Sequence, residues 1–343
     1  MLSRFSQLRA QNPAKEMLSR ALKSGKLAHA YLCRGPAGVG KKRAAHALAA
    51  TLNCHQLPAA AGDDHRANLE VCGSCPSCRK FATDSHPDLL TVSPEGAAIK
   101  IQQVREIKKA LRFPPLEGSY RVVLVSEVQT MRREAANSLL KILEEPPPAT
   151  IFILTGDEAG AILPTILSRC QVIPFYALEI DEVAAMLSAE DEQLTPAAAA
   201  TLAALAEGSP GRARLLRQKE LLPLRREILQ TLLTRQIDEP AALESVLELA
   251  ERGAALKEEL PELLELLTGC FHDLAVLAAA GRSADHRRPL LNRDLQAELQ
   301  QGAGRWDFPQ LVSRLQRLRQ ARRQLARNCN RGLVCEVLFF DLL

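Results

Sequence analysis

Aromatic side chains are scarce, with nine Phe, three Tyr and one Trp in 343 residues. Single-stranded nucleic acid is commonly held by aromatics interleaved with basic residues, and no such stretch accompanies the clustered cysteines. Long apolar runs are missing as well. None approaches the roughly 18 residues of a membrane-spanning helix, so no membrane partner is expected. The opening residues Met1-Leu2-Ser3-Arg4-Phe5 lack the apolar stretch of a secretory signal, which makes the cytoplasm the expected compartment. Neither sign of charge is in large excess. A net charge of +4 permits contact with nucleic acid but falls short of a dedicated binder's basic patch. In a reducing compartment, nine cysteines are expected as thiols or metal ligands rather than disulfides. What is present is a 47% apolar composition rich in Leu and Ala, which favours helix-rich packing.

The chain has room for two or three domains of roughly 100–200 residues each. Asn12-Pro13 reads as a helix start and Gly25 as its stop. A short strand, Ala30-Tyr31-Leu32-Cys33, leads into a glycine-rich turn and a helix from about Gly40 to Asn53. Further strand-like runs follow at Leu89–Val92, Arg121–Val125, Ile151–Thr155 and Val172–Phe175. Between them, Ile101, Val104, Ile107 and Leu111 share one helical face, as do Ala136, Leu139, Leu140 and Leu143. Alternating strands and helices predict a parallel α/β domain with helices on both faces over residues 1–176. After Tyr176 strand patterns nearly vanish. Residues 177–218 read as a small helical unit closing on Gly208-Ser209-Pro210-Gly211-Arg212, and 219–343 as a Leu-rich helical domain.

Gly35-Pro36-Ala37-Gly38-Val39-Gly40-Lys41-Lys42 matches a phosphate-binding loop except at its last position. A working loop has Ser or Thr there, because that hydroxyl coordinates the nucleotide's magnesium. Lys42 brings a positive charge instead. The second half of an ATPase site is an apolar strand ending in Asp-Glu, but Val122–Val125 is followed by Ser126-Glu127. Glu127 retains the ability to orient a water, while Ser126 stands where the metal-holding aspartate belongs. With both metal positions altered, no catalytic magnesium and negligible hydrolysis are expected. Binding of ATP or ADP through the loop amides, Gly35, Gly40 and Lys41 stays open.

Cys72-x-x-Cys75-x-x-Cys78, with Cys54 upstream, offers four thiolates for one tetrahedral zinc. His55 and His65 are alternative ligands in a Cys₃His site. Four sulfurs leave no open position for substrate, so this zinc is expected to be structural and to pin an excursion at about 54–80. Arg169, in Ser168-Arg169-Cys170, lies between the fourth and fifth strand patterns. An arginine at the edge of a nucleotide domain can reach a neighbouring subunit's γ-phosphate; the plainer reading is a local ion pair. In the last helices Leu311, Leu315, Leu318 and Leu325 share a face. Arg314, Arg317, Arg319, Arg322, Arg323 and Arg327 cover much of the remainder. That spread reads first as a solvated basic surface, and alternatively as a ring interface or DNA contact.

Asn137–Pro147, Ile151–Thr155 and Leu167–Cys170 resemble bacterial DNA polymerase III clamp-loader subunits of the AAA+ class. The cysteine module after the loop helix and His29-Ala30-Tyr31-Leu32 are similar to that family too. Residues 29–175 carry most of the likeness, and 328–343 looks like the family's last collar helix. The resemblance implies an AAA+ domain, a small helical lid and an all-helical collar used for oligomerisation. It further implies a five-subunit ring with γ/τ and δ subunits, which acts on the β sliding clamp and primed DNA. In the family γ/τ subunits hydrolyse ATP, whereas δ′ subunits have a degraded site and keep Ser-Arg-Cys; this chain is similar to the latter. The implied role of Arg169 is an arginine finger acting in trans, with the chain as a fixed brace. Thr155 occupies the sensor-1 position and Arg212 lies near the sensor-2 position, neither with an implied catalytic role here. A γ-like ATPase tolerant of Lys42 and a zinc-module nucleic-acid adaptor are the competing readings.

Overall fold

In the computed structural model, which describes residues 2–57, 70–96, 98–157, 162–218, 221–234, 240–280, 290–327 and 329–343, five short apolar segments pair into one sheet. They are β1 (Ala30–Arg34), β2 (Leu89–Val92), β3 (Arg121–Val125), β4 (Thr150–Gly156) and β5 (Gln171–Pro174). Their order is β2-β3-β4-β1-β5, and every pairing is parallel. A parallel sheet needs cover on both faces, so its inner strands read as unbroken apolar runs. Every residue of β3 and β4 is accordingly buried, whereas the edge strands β2 and β5 keep partly exposed positions.

The first six helices are α1 (Asn12–Ser24), α2 (Lys41–Leu52), α3 (Pro76–Ala82), α4 (Ile101–Ala110), α5 (Arg133–Glu144) and α6 (Pro164–Leu167). Val104 and Ile107 of α4, with Ala136, Leu139 and Leu143 of α5, pack on Leu32, Val123 and Phe152. Alternate strand residues point to the opposite face, where α2 packs on β1 and β4. Gln11, not Asn12, stands at the cap of α1, and Gly25 ends it in a left-handed conformation. The Gln11 amide bonds Tyr176 instead of the helix, donating to its carbonyl at 2.8 Å.

Contacts divide the chain into two compact units, Met1–Leu178 and Glu179–Leu343. The second is built from α7 (Ile180–Glu190), α8 (Pro196–Leu205), α9 (Pro210–Gln218), α10 (Leu221–Thr234), α11 (Pro240–Ala255), α12 (Leu260–Ala280), α13 (Gln296–Gly302), α14 (Phe308–Ala326) and α15 (Arg331–Leu342). Gly208-Ser209-Pro210 opens α9. Ser209 Oγ accepts from the Arg212 amide at 3.2 Å, as a helix cap does, and Pro210 takes the first helical position. The arginines of α14 are not uniformly solvated. Arg314 lies 4.6 Å from the Trp306 ring centroid and donates to the Leu342 carbonyl, while Arg317 and Arg322 pair with Asp341 and Glu265.

Candidate functional site

Ligands of open parallel sheets bind outside the carboxyl ends of the strands, and three strand ends meet there. The loop Gly35–Gly40 leaves β1, Ser126-Glu127 leaves β3, and Thr155 with Asp157 ends β4. Gly35 is required by close approach. A Cβ at that position would lie 2.1 Å from the Phe175 carbonyl oxygen. Gly38 and Gly40 hold left-handed backbone at φ 76° and 105°, which turns the chain into α2 without steric cost.

Lys41 is buried and its ammonium is fully engaged. Nζ donates to the Gly35 carbonyl at 2.5 Å, the Pro36 carbonyl at 2.6 Å and Asp157 Oδ1 at 2.7 Å. An ammonium has three donors, so a phosphate would have to replace one of these acceptors. Asp157 also accepts from the Gln129 amide at 3.2 Å. Sequence reasoning missed Asp157, whose signal is its place two residues after Thr155 at a buried strand's end. Lys42 points to solvent on the first turn of α2. Ser126 is buried, and Glu127 has an exposed side chain on left-handed backbone, with its amide donating to Thr155 Oγ1 at 3.2 Å. The loop with Lys41, and Ser126-Glu127 beside Thr155, thus lie at the same edge of the sheet, with Lys42 turned outward and no carboxylate at the Ser126 position.

Arg169 lies elsewhere. It follows α6 and precedes β5, whose Gln171 is level with Tyr31 and whose Pro174 is level with Arg34. Because β1 and β5 run parallel, Arg169 stands at the amino edge of the sheet and the phosphate loop at the carboxyl edge. A strand rises about 3.3 Å per residue, so the sheet's depth separates the two. The guanidinium is one-third exposed. Its Nη1 donates to the Thr165 carbonyl at 3.0 Å and Ser168 Oγ at 3.2 Å, and Nη2 to Glu144 Oε1 at 2.5 Å. Arg169 thus does make a local ion pair. In the second unit, Arg212 donates to Glu262 Oε1 at 2.5 Å and pairs with Glu207.

The sulfurs of Cys54, Cys72, Cys75 and Cys78 all lie within 4.8 Å of one another. The Cys72–Cys78 and Cys78–Cys54 separations are 3.8 and 3.7 Å. A tetrahedron with zinc–sulfur bonds near 2.3 Å has edges of about 3.8 Å, so the donor set fits a metal ion such as zinc. Backbone donors hold the knuckle. The Cys75 amide donates to Cys72 Sγ at 3.3 Å and the Cys78 amide to Cys75 Sγ at 3.4 Å, which also makes Cys75 the cap of α3. Burial raises the Cys54 and Cys78 thiols. At Cys72 burial acts the same way, but hydrogen bonds from Cys75 and Ser74 outweigh it and bring the thiol to about 6. His55 is exposed and outside the cluster; His65 lies outside the described residues.

Known families match most of the chain. Residues 10–179 match the family model described as DNA polymerase III, delta subunit, and residues 219–343 match its C-terminal counterpart. The DNA polymerase III subunit delta′ of Bacillus subtilis is 31% identical over 215 residues, 63% of this chain and 62% of that protein. The delta′ subunit of Pseudomonas aeruginosa is 36% identical over 209 residues, 59% and 60% of the two chains. The gamma/tau subunit of Mycobacterium tuberculosis is 35% identical over 190 residues, 55% of this chain and 31% of that one. The matches thus span about three-fifths of the delta′ relatives' length. Among solved structures, a gamma-subunit-related protein from Thermotoga maritima aligns with a TM-score of 0.41 and 18% identity over 95% of this chain and 97% of that one. With two family models covering both units and delta′ relatives above 30% identity, the chain belongs to the delta′ family of DNA polymerase III clamp-loader subunits.

Proposed function

We propose that this chain is the non-hydrolysing member of a five-subunit clamp-loader ring with γ/τ and δ partners, and that Arg169 acts on ATP held by the adjacent γ/τ subunit. The observation that carries the reading is the opposition of Arg169 and the phosphate loop across the parallel sheet. An arginine at the amino edge is on the wrong side to serve its own chain's loop. Its guanidinium stays charged and can grip phosphate oxygens two at a time, which suits it to a neighbour's γ-phosphate. The absence of a carboxylate at Ser126 and the exposed ammonium of Lys42 support the lack of hydrolysis. In this reading ATP in the γ/τ neighbours opens the β sliding clamp, and primed DNA triggers hydrolysis and release. Residues 1–176 form the AAA+ domain, 177–218 a lid and 219–343 the collar that joins the ring. Cys54, Cys72, Cys75 and Cys78 hold a structural zinc.

Reconstitution with γ/τ and δ tests this. Arg169→Ala is expected to leave assembly and zinc content intact while lowering hydrolysis at the neighbouring site by roughly 10³-fold or more. Arg169→Lys should restore little. An assembled mutant ring that hydrolyses ATP at the unmodified rate at every site overturns the finger. Steady turnover by the isolated chain, lost in Lys41→Ala, overturns the non-hydrolysing role.

A further inference from the structure

Glu144 closes α5, a position that works against the helix. The carbonyl end carries partial negative charge, so an acidic residue there is electrostatically disfavoured, and residues that break a local rule tend to mark functional sites. Glu144 does not bury its carboxylate for packing either; the side chain is about half exposed, at 49%. Its contact is Arg169 Nη2 at 2.5 Å. The helix beneath is firmly rooted, with Ala135, Ala136, Leu139, Ile142 and Leu143 buried. The carboxylate is therefore anchored to the sheet's core rather than to a mobile loop.

We propose that Glu144 is a positioning residue for Arg169, a role that rests on the finger reading given above. Three acceptors hold two of the guanidinium's nitrogens. Glu144 takes Nη2, while the Thr165 carbonyl and Ser168 Oγ take Nη1. Two of these acceptors are uncharged groups of the short turn that carries Arg169 itself. Glu144 is the acceptor that comes from another element, and the charged one. It fixes the direction in which the side chain leaves the turn. A guanidinium has five N–H donors, and among the described residues three are engaged, none of them at Nε. The remaining donors stay available to an incoming phosphate. A long side chain held in one rotamer before docking has less freedom to lose when the neighbouring nucleotide meets it. Glu144 thus acts through Arg169 and touches no nucleotide.

The test uses the reconstituted ring with Glu144→Ala and the nearly isosteric Glu144→Gln, each with Arg169 intact and with Arg169→Ala. Ordering one rotamer-rich side chain corresponds to roughly 2- to 12-fold in rate or affinity. Glu144→Ala is expected to lower kcat for DNA-stimulated hydrolysis by that factor with the KM for ATP unchanged. Glu144→Gln, which keeps an acceptor oxygen without the charge, should fall between. In the Arg169→Ala background neither substitution should have any further effect. If Glu144→Ala lowers hydrolysis equally with and without Arg169, or leaves it unchanged while Arg169→Ala abolishes it, the positioning role is wrong and the finger stands. If Arg169→Ala itself changes nothing in an assembled ring, it is the finger reading that fails.

Discussion

Asp88 is wholly buried, yet it carries a charge that its surroundings are built to keep. Its carboxylate accepts from the amides of Leu116, Glu117 and Gly118 at 2.7–2.8 Å and from Arg121 Nη2 at 3.0 Å. Burial alone would raise its pKa, but these donors outweigh burial and hold it below the usual carboxylate value. A depressed folded-state pKa contributes stability above the unfolded value, near 4, and loses it as pH falls through the folded value. Asp88→Asn keeps the shape but leaves Arg121 buried without a counter-charge, a change worth about 3–5 kcal/mol. Urea unfolding of the first unit should show that loss at neutral pH, together with a flatter stability profile below about pH 4. An unchanged acid limb would mean that other carboxylates set it. None of this was legible in the sequence. Asp88 immediately precedes β2 and Arg121 opens the adjacent β3, but the three amides come from a loop whose path only the folded chain reveals. Lys41 tells the same lesson: its motif was readable, whereas its pairing with Asp157 depends on β4 lying beside β1. Glu144 lies within the family-like stretch Asn137–Pro147, yet its contact with Arg169 depends on how α5 and α6 are placed.

At the scale of elements, strands were the easiest to read. Buried parallel strands must be apolar throughout, so Val122–Val125 and Ile151–Thr155 stood out without any alternation. The phosphate loop was legible because few residue types tolerate its backbone. Gly208-Ser209-Pro210-Gly211 was legible as punctuation near the end of the 177–218 stretch, but not as the start of α9, because the residues that end a helix also cap the next one. The cysteine knuckle was predicted from spacing, and its sulfurs do converge. Protein purified without chelator is expected to carry one zinc per chain. Cys75→Ser is the discriminating variant, since serine is itself a good helix cap and should spare α3's start while removing one metal ligand. Zinc content should fall and residues 70–82 should become protease-sensitive, with unfolding of the second unit unchanged. Elemental analysis finding no stoichiometric zinc in the unmodified chain would remove the metal and leave a cluster of thiols.

For the whole molecule, the question is which surface joins it to others, and the second unit offers a specific candidate. Helices α11 and α15 pack closely; a Cβ on Gly253 would lie 3.3 Å from the Phe339 ring. Their inner rows, Val246, Leu249 and Ala250 against Val334, Leu338 and Phe339, belong to the unit's core. Their outer rows remain apolar too. Leu243 and Leu247 on α11 and Leu333, Val337 and Phe340 on α15 are 37–60% exposed. Spacings of three and four residues put each set on one helical face. Single exposed apolar residues need no explanation, whereas contiguous apolar patches on soluble proteins are where partners bind. In the proposed ring this is the collar face. Val337→Glu with Phe340→Glu should leave the isolated chain folded, since neither side chain is in the core. A charge forced into an apolar interface costs about 3 kcal/mol, roughly a hundredfold in affinity. Co-elution with γ/τ and δ should therefore be lost at concentrations where the unmodified chain assembles fully. Charge reversal at Arg319 and Arg323, exposed on α14, is the matched control, because it alters charge without touching either apolar row. Assembly that survives the paired glutamates would move the joint to another face of the unit.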